Sequence, residues 1–178
     1  MRASYKLGIA AVAGFAVVAM AACVPGRGPH PLEGEEGQKK AAPNFTTTTL
    51  DGAEVSLAQH KGQDIVMLDF WAAWCPPCRE GLPAVESIAK EYQDQAVAVY
   101  AVNQGEDADT IRGFLEETGL DITVLMDEQT NIGAQYGARA IPQTVIIDRD
   151  GQVADLHIGY RSGDEQSWRD TINGLLAK

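Results

Sequence analysis

The sequence predicts an α/β sandwich: a mixed sheet covered by helices on both faces. Two observations carry that expectation. Short apolar runs bounded by turn residues alternate with stretches whose apolar residues recur at helical spacing. The 178 residues also suit one domain plus a tail, long enough to bury a real core.

Residues 1–22 read as a secretory signal. They carry Arg2 and Lys6, no acidic residue, and an apolar stretch from Leu7 to Ala22 that ends in small residues. At 16 residues that stretch is short for a spanning helix, which needs about 20. Residues 23–41, rich in Gly, Pro and Glu, read as a flexible tether with no binding motif. Such a linker spans roughly 20–25 Å on average and lifts a small domain clear of a membrane.

The folded domain is expected over residues 42–178. Residues 45–49 and 53–57 form a hairpin around Asp51-Gly52, a strong turn signal. Strands follow at 65–70, 97–102, 122–126, 144–148 and 153–158, with helices at 76–93, 108–118, 129–136 and 164–177. In the first helix Leu82, Val85, Ile88, Ala89 and Tyr92 recur at helical spacing, and in the last Trp168, Ile172, Leu175 and Leu176 do. These stripes are core faces. Pro83 falls inside the first helix and is expected to kink it.

Trp74-Cys75-Pro76-Pro77-Cys78 stands where the first long strand passes into the first helix. Two cysteines at this spacing can close a small disulfide ring and open it again. A thiol with a pKa of about 8.5 is mostly protonated at neutral pH, and a helix N-terminus favours the thiolate. Cys75, nearest the helix start, is the expected nucleophile and the more exposed thiol. Cys78, one turn on and more buried, is expected to resolve a mixed disulfide. Pro76 and Pro77 suit the first helical turn but remove two N–H donors that could have stabilised the thiolate. The expectation is a moderately lowered Cys75 pKa and a potential on the reducing side.

Structural zinc needs about four ligands, and there is no second cysteine pair. Cys23, His30, His60 and His157 are scattered and share no ligand spacing. Each histidine is read as solvated or locally hydrogen-bonded. No metal or other cofactor is expected.

Leu68-Asp69-Phe70-Trp71-Ala72-Ala73-Trp74-Cys75-Pro76-Pro77-Cys78-Arg79 resembles the active-site strand, turn and helix start of the thioredoxin superfamily. Tyr136-Gly137 and Ala140-Ile141-Pro142-Gln143-Thr144-Val145-Ile146-Ile147-Asp148, with Asp150-Gly151, resemble the cis-proline loop and following strand of its membrane-anchored TlpA/ResA-like branch. Ala42-Pro43-Asn44-Phe45 with Leu50-Asp51-Gly52 is similar to that branch's N-terminal hairpin. The resemblance covers residues 41–178 and implies a thioredoxin-like three-layer sandwich with an N-terminal hairpin extension. It implies a cis bond at Pro142, and an Ile141 backbone that pairs with an extended substrate segment beside Cys75. Trp74 is expected to shape the substrate platform.

In thioredoxins an acid at the position of Asp69 is buried beneath the disulfide and helps the resolving thiol lose its proton. The resemblance therefore assigns Asp69 to proton transfer, the alternative being a purely structural buried carboxylate. TlpA/ResA-like relatives usually have asparagine there and a glutamate three residues after the second cysteine. Here that position is Gly81, and Glu80 falls one residue early. One residue turns a helical side chain by about 100°, so Glu80 is expected to face solvent. The departure weakens a specialised haem-maturation role. Gln143 stands where relatives commonly have threonine.

Met20-Ala21-Ala22-Cys23 is similar to a bacterial lipobox, with methionine in place of the usual leucine. The resemblance implies lipidation of Cys23, with simple cleavage or an uncleaved anchor as alternatives. It also accounts for an odd cysteine count in an exported protein, leaving Cys75 and Cys78 as a self-contained redox disulfide. The formal charge is −11, and −13 without Arg2 and Lys6. That acidity opposes nucleic-acid or anionic-lipid binding by the domain itself.

The resulting expectation is a monomeric, extracytoplasmic thiol–disulfide oxidoreductase, in the periplasm or at the cell surface. It is held to a membrane by lipid at Cys23, acts on thiols and disulfides of exported proteins, and draws electrons from a membrane or extracytoplasmic donor. Two alternatives remain. A thiol peroxidase shares the fold but needs a lone activated cysteine in a Thr-x-x-Cys context. A Cu(I) metallochaperone would suit soft thiolates, although no Met or His clusters near the motif.

Overall fold

The computed structural model describes residues 30–33 and 40–178. The expected signal segment, and Cys23 with it, lies outside the described residues. Among the described residues seven strands and four helices follow in order: β1 (Thr46–Thr48), β2 (Glu54–Ser56), a 3₁₀ turn (Leu57–His60), β3 (Ile65–Trp71), α1 (Pro76–Tyr92), β4 (Val97–Gln104), α2 (Ala108–Thr118), β5 (Val124–Asp127), α3 (Asn131–Gln135), β6 (Gln143–Ile147), β7 (Val153–Ile158) and α4 (Asp164–Leu176).

The main sheet has the order β5-β4-β3-β6-β7. β3 runs parallel to β4 and antiparallel to β6, so the sheet is mixed. β3 is central and every one of its residues is buried. This explains why Ile65-Val66-Met67-Leu68-Asp69-Phe70-Trp71 is almost continuously apolar rather than alternating. Val66, Leu68 and Phe70 pack on one face with Val102, Leu125, Val145, Ile147 and Tyr136. Ile65 and Met67 pack on the other with Val85 and Ile88 of α1 and Trp168 and Ile172 of α4. Trp71 continues that second face into a cluster with Leu82, Ile111 and Phe114, which includes both cysteines of the motif.

The β1–β2 hairpin is a separate antiparallel pair. Together with α3 it covers the first face, through Phe45, Val55 and Ile132. Helix faces and strand positions follow the apolar spacing closely. Ends differ by at most two residues, the two-residue differences being at β4, β5 and α3. α1 continues through Pro83 as a single helix to Tyr92. α2 is capped by the Asp107 side chain, which accepts from the Thr110 N–H, and ends at Gly119 in the left-handed region (φ 68°).

The segment expected to be only a tether contacts the domain. Leu32 is 3% exposed and belongs to the first-face core. The Lys40 carbonyl accepts from Val153, and Ala42 N–H donates to Gly151. Residues 30–32 therefore contribute apolar surface to the domain, which their Gly/Pro-rich surroundings hide.

Candidate active site

Cys75 and Cys78 form a disulfide, with Cα atoms 5.3 Å apart. Cys75 is the N-cap of α1, in extended conformation, and Pro76 and Pro77 occupy the first helical positions. Neither proline has an N–H to offer. The first helical N–H aimed at the Cys75 sulfur is that of Cys78, at 3.3 Å. One amide donor thus remains to stabilise a Cys75 thiolate where an unblocked helix start would present more.

The expected contrast in exposure between the two thiols is absent in this oxidised pair. Cys75 is 3% exposed and Cys78 1%. The disulfide ring holds both sulfurs against the Trp71 and Leu82 cluster. What separates the cysteines is position: Cys75 lies outside the first helical turn beside exposed Trp74, Pro76 and Pro77, whereas Cys78 lies within that turn. Trp74 is 70% exposed, the largest apolar side chain so displayed among the described residues.

The Ile141–Pro142 peptide is cis. The Ile141 carbonyl oxygen lies 3.7 Å from Cys75 Sγ, so residues 66 positions apart meet at the Cys75 sulfur. The Pro142 carbonyl accepts from Gly159 N–H at 2.7 Å, tying the loop to the end of β7.

Asp69 is on β3 and alternates with Met67 and Trp71, which places it on the α1-covered face of the sheet. It is 3% exposed and pairs across the sheet with Thr144, whose hydroxyl donates to Asp69 Oδ1 at 2.8 Å. Burial pushes its pKa up to about 7, partly opposed by that hydrogen bond. A carboxyl poised near neutrality on this face can take and return a proton.

Glu80 is exposed, as its one-residue offset requires. Gly81, in the position where relatives usually have glutamate, is buried against the ring of Tyr160, 3.0 Å from where a Cβ would stand. An aromatic ring thus fills the space in front of that position.

Three further residues organise the site, although the sequence alone assigned none of them a role. Glu106 accepts the Ala73 N–H at 2.8 Å and the Asn103 amide at 2.7 Å, fixing the turn between β3 and α1. Arg79 donates to the Ala73 carbonyl, reaches Glu117 at 3.4 Å, and lies 4.9 Å over the Phe114 ring. Thr144 orients Asp69. Arg79 and Thr144 lie within the stretches that resemble the active-site and cis-proline segments, whereas Glu106 lies outside both. Their partners are fixed by tertiary packing. His60, by contrast, is buried and bonded to Asp64 and Tyr100. His157 pairs with Asp164. Neither is bonded to a cysteine. Among the described residues no three His, Cys, Asp or Glu side chains group as metal ligands.

The Redoxin family matches residues 36–172. The chain belongs to that family. It is 41% identical over 134 residues to the thioredoxin-like protein YneN of Bacillus subtilis, covering 74% of this chain and 76% of that one. It is 32% identical to the thiol-disulfide oxidoreductase ResA of Bacillus thuringiensis, over 78% of this chain and 76% of that one. Among solved structures, a thiol:disulfide interchange protein of the thioredoxin family from Chlorobium tepidum superimposes with a TM-score of 0.66 at 26% identity, covering 78% of this chain and 97% of that one. The ResA-like affinity, the thioredoxin-like fold and the CxxC pair agree: the chain is a thiol–disulfide oxidoreductase.

Proposed function

We propose that the protein reduces disulfides of exported proteins outside the cytoplasm, tethered to a membrane through Cys23. The observation that carries the redox assignment is Cys75 itself, an N-cap sulfur facing the Cys78 N–H on one side and the Ile141 carbonyl on the other. The location rests on the basic, then apolar leader and its lipobox-like end, with a signal segment over residues 1–22 and a domain from about residue 42.

The cycle begins with the reduced dithiol. The Cys75 thiolate attacks one sulfur of a substrate disulfide and expels the other as a thiolate, giving a mixed disulfide. Asp69 takes the Cys78 proton. The Cys78 thiolate then attacks Cys75 Sγ, forming the intramolecular disulfide and releasing the second substrate sulfur. Two electrons pass to the substrate, and an extracytoplasmic dithiol donor restores the pair by the reverse steps. Meanwhile the backbone of Ile141 holds an extended substrate segment and Trp74 provides an apolar platform. Main-chain pairing tolerates many substrate sequences.

The test is insulin reduction by the purified, reduced protein, together with capture of partners by Cys78→Ser, which lacks the resolving thiol. Covalent adducts to exported proteins through Cys75 support the reading; absence of both insulin reduction and adducts overturns it. Peroxide consumption and copper titration of the reduced protein address the thiol peroxidase and Cu(I)-carrier alternatives.

A further inference from the structure

Gln143 is 1% exposed, at the first position of β6 and directly after cis-Pro142. Both of its amide atoms are engaged by distant parts of the chain. Nε2 donates to the Tyr136 carbonyl at 2.9 Å, and Oε1 faces His30 Nε2 at 3.1 Å. His30 Nε2 also lies 3.2 Å from the Gly137 carbonyl, while Leu32 N–H points at His30 Nδ1 from 3.2 Å. Two acceptors face Nε2 and one donor faces Nδ1. The ring therefore fits one tautomer, with Nε2–H shared between Gln143 and Gly137 and Nδ1 accepting from Leu32.

The neighbours reinforce this docking. Leu32 is buried among Phe45, Tyr136 and Ala138. Pro31 packs so closely on Gly137 (φ 66°) that a Cβ there would collide with its ring. The loop between Tyr136 and Gln143 is thus held from the N-terminal segment at Gly137 and Gln143, on either side of the Ile141 carbonyl that faces Cys75.

We propose that His30 is a positioning residue for the substrate loop, acting through Gln143 and Gly137. Residues 30–32 then belong to the substrate-holding half of the enzyme. This rests on the reading that Ile141 binds substrate. Without His30, a buried amide oxygen and a loop carbonyl lose a donor, and each must find water or shift. A protein substrate would have to order that loop as it binds, so the cost appears in KM. The cysteines and the α1 N-terminus are untouched, so kcat and the redox potential stay as in the parent.

The experiment compares full-length variants in detergent, with insulin and with a small aromatic disulfide that needs no backbone pairing. His30→Ala is expected to raise KM for insulin about five- to tenfold, the upper figure being about 1.4 kcal/mol, with kcat changed less than about twofold. KM for the small disulfide and the potential of the Cys75–Cys78 pair stay as in the parent. His30→Gln, whose amide N–H can replace Nε2–H, restores insulin KM. Leu32→Asp, which should eject the segment while keeping His30 and every residue of the loop itself, reproduces the increase and adds nothing to His30→Ala. Unchanged insulin KM in both single variants overturns the proposal, as does an equal effect on the small disulfide or on the potential. If the parent protein reduces neither substrate, the oxidoreductase reading has failed, and this proposal falls with it.

Discussion

On the α1 side of the site, every group assigned to the chemistry comes from ten consecutive residues, Asp69 to Cys78. On the loop side, Ile141, Pro142 and Gln143 are held by Tyr136, Gly159 and His30, the last 113 residues distant from Gln143. The first half is a strand running into a helix, and its geometry follows from local chain connectivity. The second is a loop, and its geometry is set by whatever packs behind it. The groups assigned to the chemistry therefore lie together in the chain, whereas the proposed substrate holding rests on residues distant in it. Changes on the α1 side should alter chemical steps; changes behind the loop should alter binding.

The largest effect tests the chemical half. Cys75→Ser should reduce insulin turnover to background, while Cys78→Ser accumulates mixed disulfides that denaturing gels resolve. In the reduced wild type, Cys75 should be alkylated well before Cys78 at neutral pH, since it lies outside the helical turn. Equal rates at both thiols would undo the assignment of nucleophile. This matters because the oxidised pair shows no difference in burial large enough to decide it.

Asp69→Asn comes next. It should slow resolution of the mixed disulfide more than its formation, and remove an apparent pKa near 7 from the resolving step. The same substitution has a stability signature with a definite sign. Asp69 titrates at about 7 in the folded chain, against 3.8 for an ordinary aspartate. Between those values the unfolded chain releases a proton that the folded chain keeps, so stability falls as pH rises through this window and levels off above about 7. The full shift corresponds to a loss on the order of 4 kcal/mol, and Asp69→Asn should abolish that pH dependence. Urea unfolding at pH 5 and pH 8 spans the upper part of that window, roughly 2–3 kcal/mol of the change. A purely structural aspartate would give the stability effect without the selective slowing of resolution.

A smaller effect tests the support beneath the motif. Glu106→Ala strands the Ala73 N–H and the buried Asn103 amide, and should cost about 1–3 kcal/mol in denaturant unfolding. The smallest effect on the chemistry is expected from Cys23→Ser. That change should move the protein to the soluble extracytoplasmic fraction, or leave an uncleaved precursor, with the insulin kcat unaltered. A processed Cys23→Ser protein that stays on the membrane argues against a lipid anchor.

Much of the molecule could be read from the residues in order. The apolar spacing of Leu82, Val85, Ile88 and Tyr92 placed the buried face of α1, and Asp51-Gly52 placed the hairpin. The run from Ile65 to Trp71 identified the central strand, and the CxxC at its end identified the redox centre. These features depend on period, propensity and short spacing, which a linear sequence contains. Other features depend on what comes close in space. The near-neutral titration of Asp69 arises from burial on the α1-covered face and from Thr144, 75 positions away. The same holds for the roles of Glu106 and Arg79 around Ala73. The docking of His30 and Leu32 arises because the first sheet face is only partly covered by a hairpin and a short helix, leaving room for residues whose own composition reads as linker. Sequence determined the fold class and the reacting sulfurs, because strand, turn and helix start are local. Tertiary structure alone decided which carboxyl is held near neutrality and what braces the cis-Pro142 loop, because desolvation and hydrogen bonding are properties of neighbours in space.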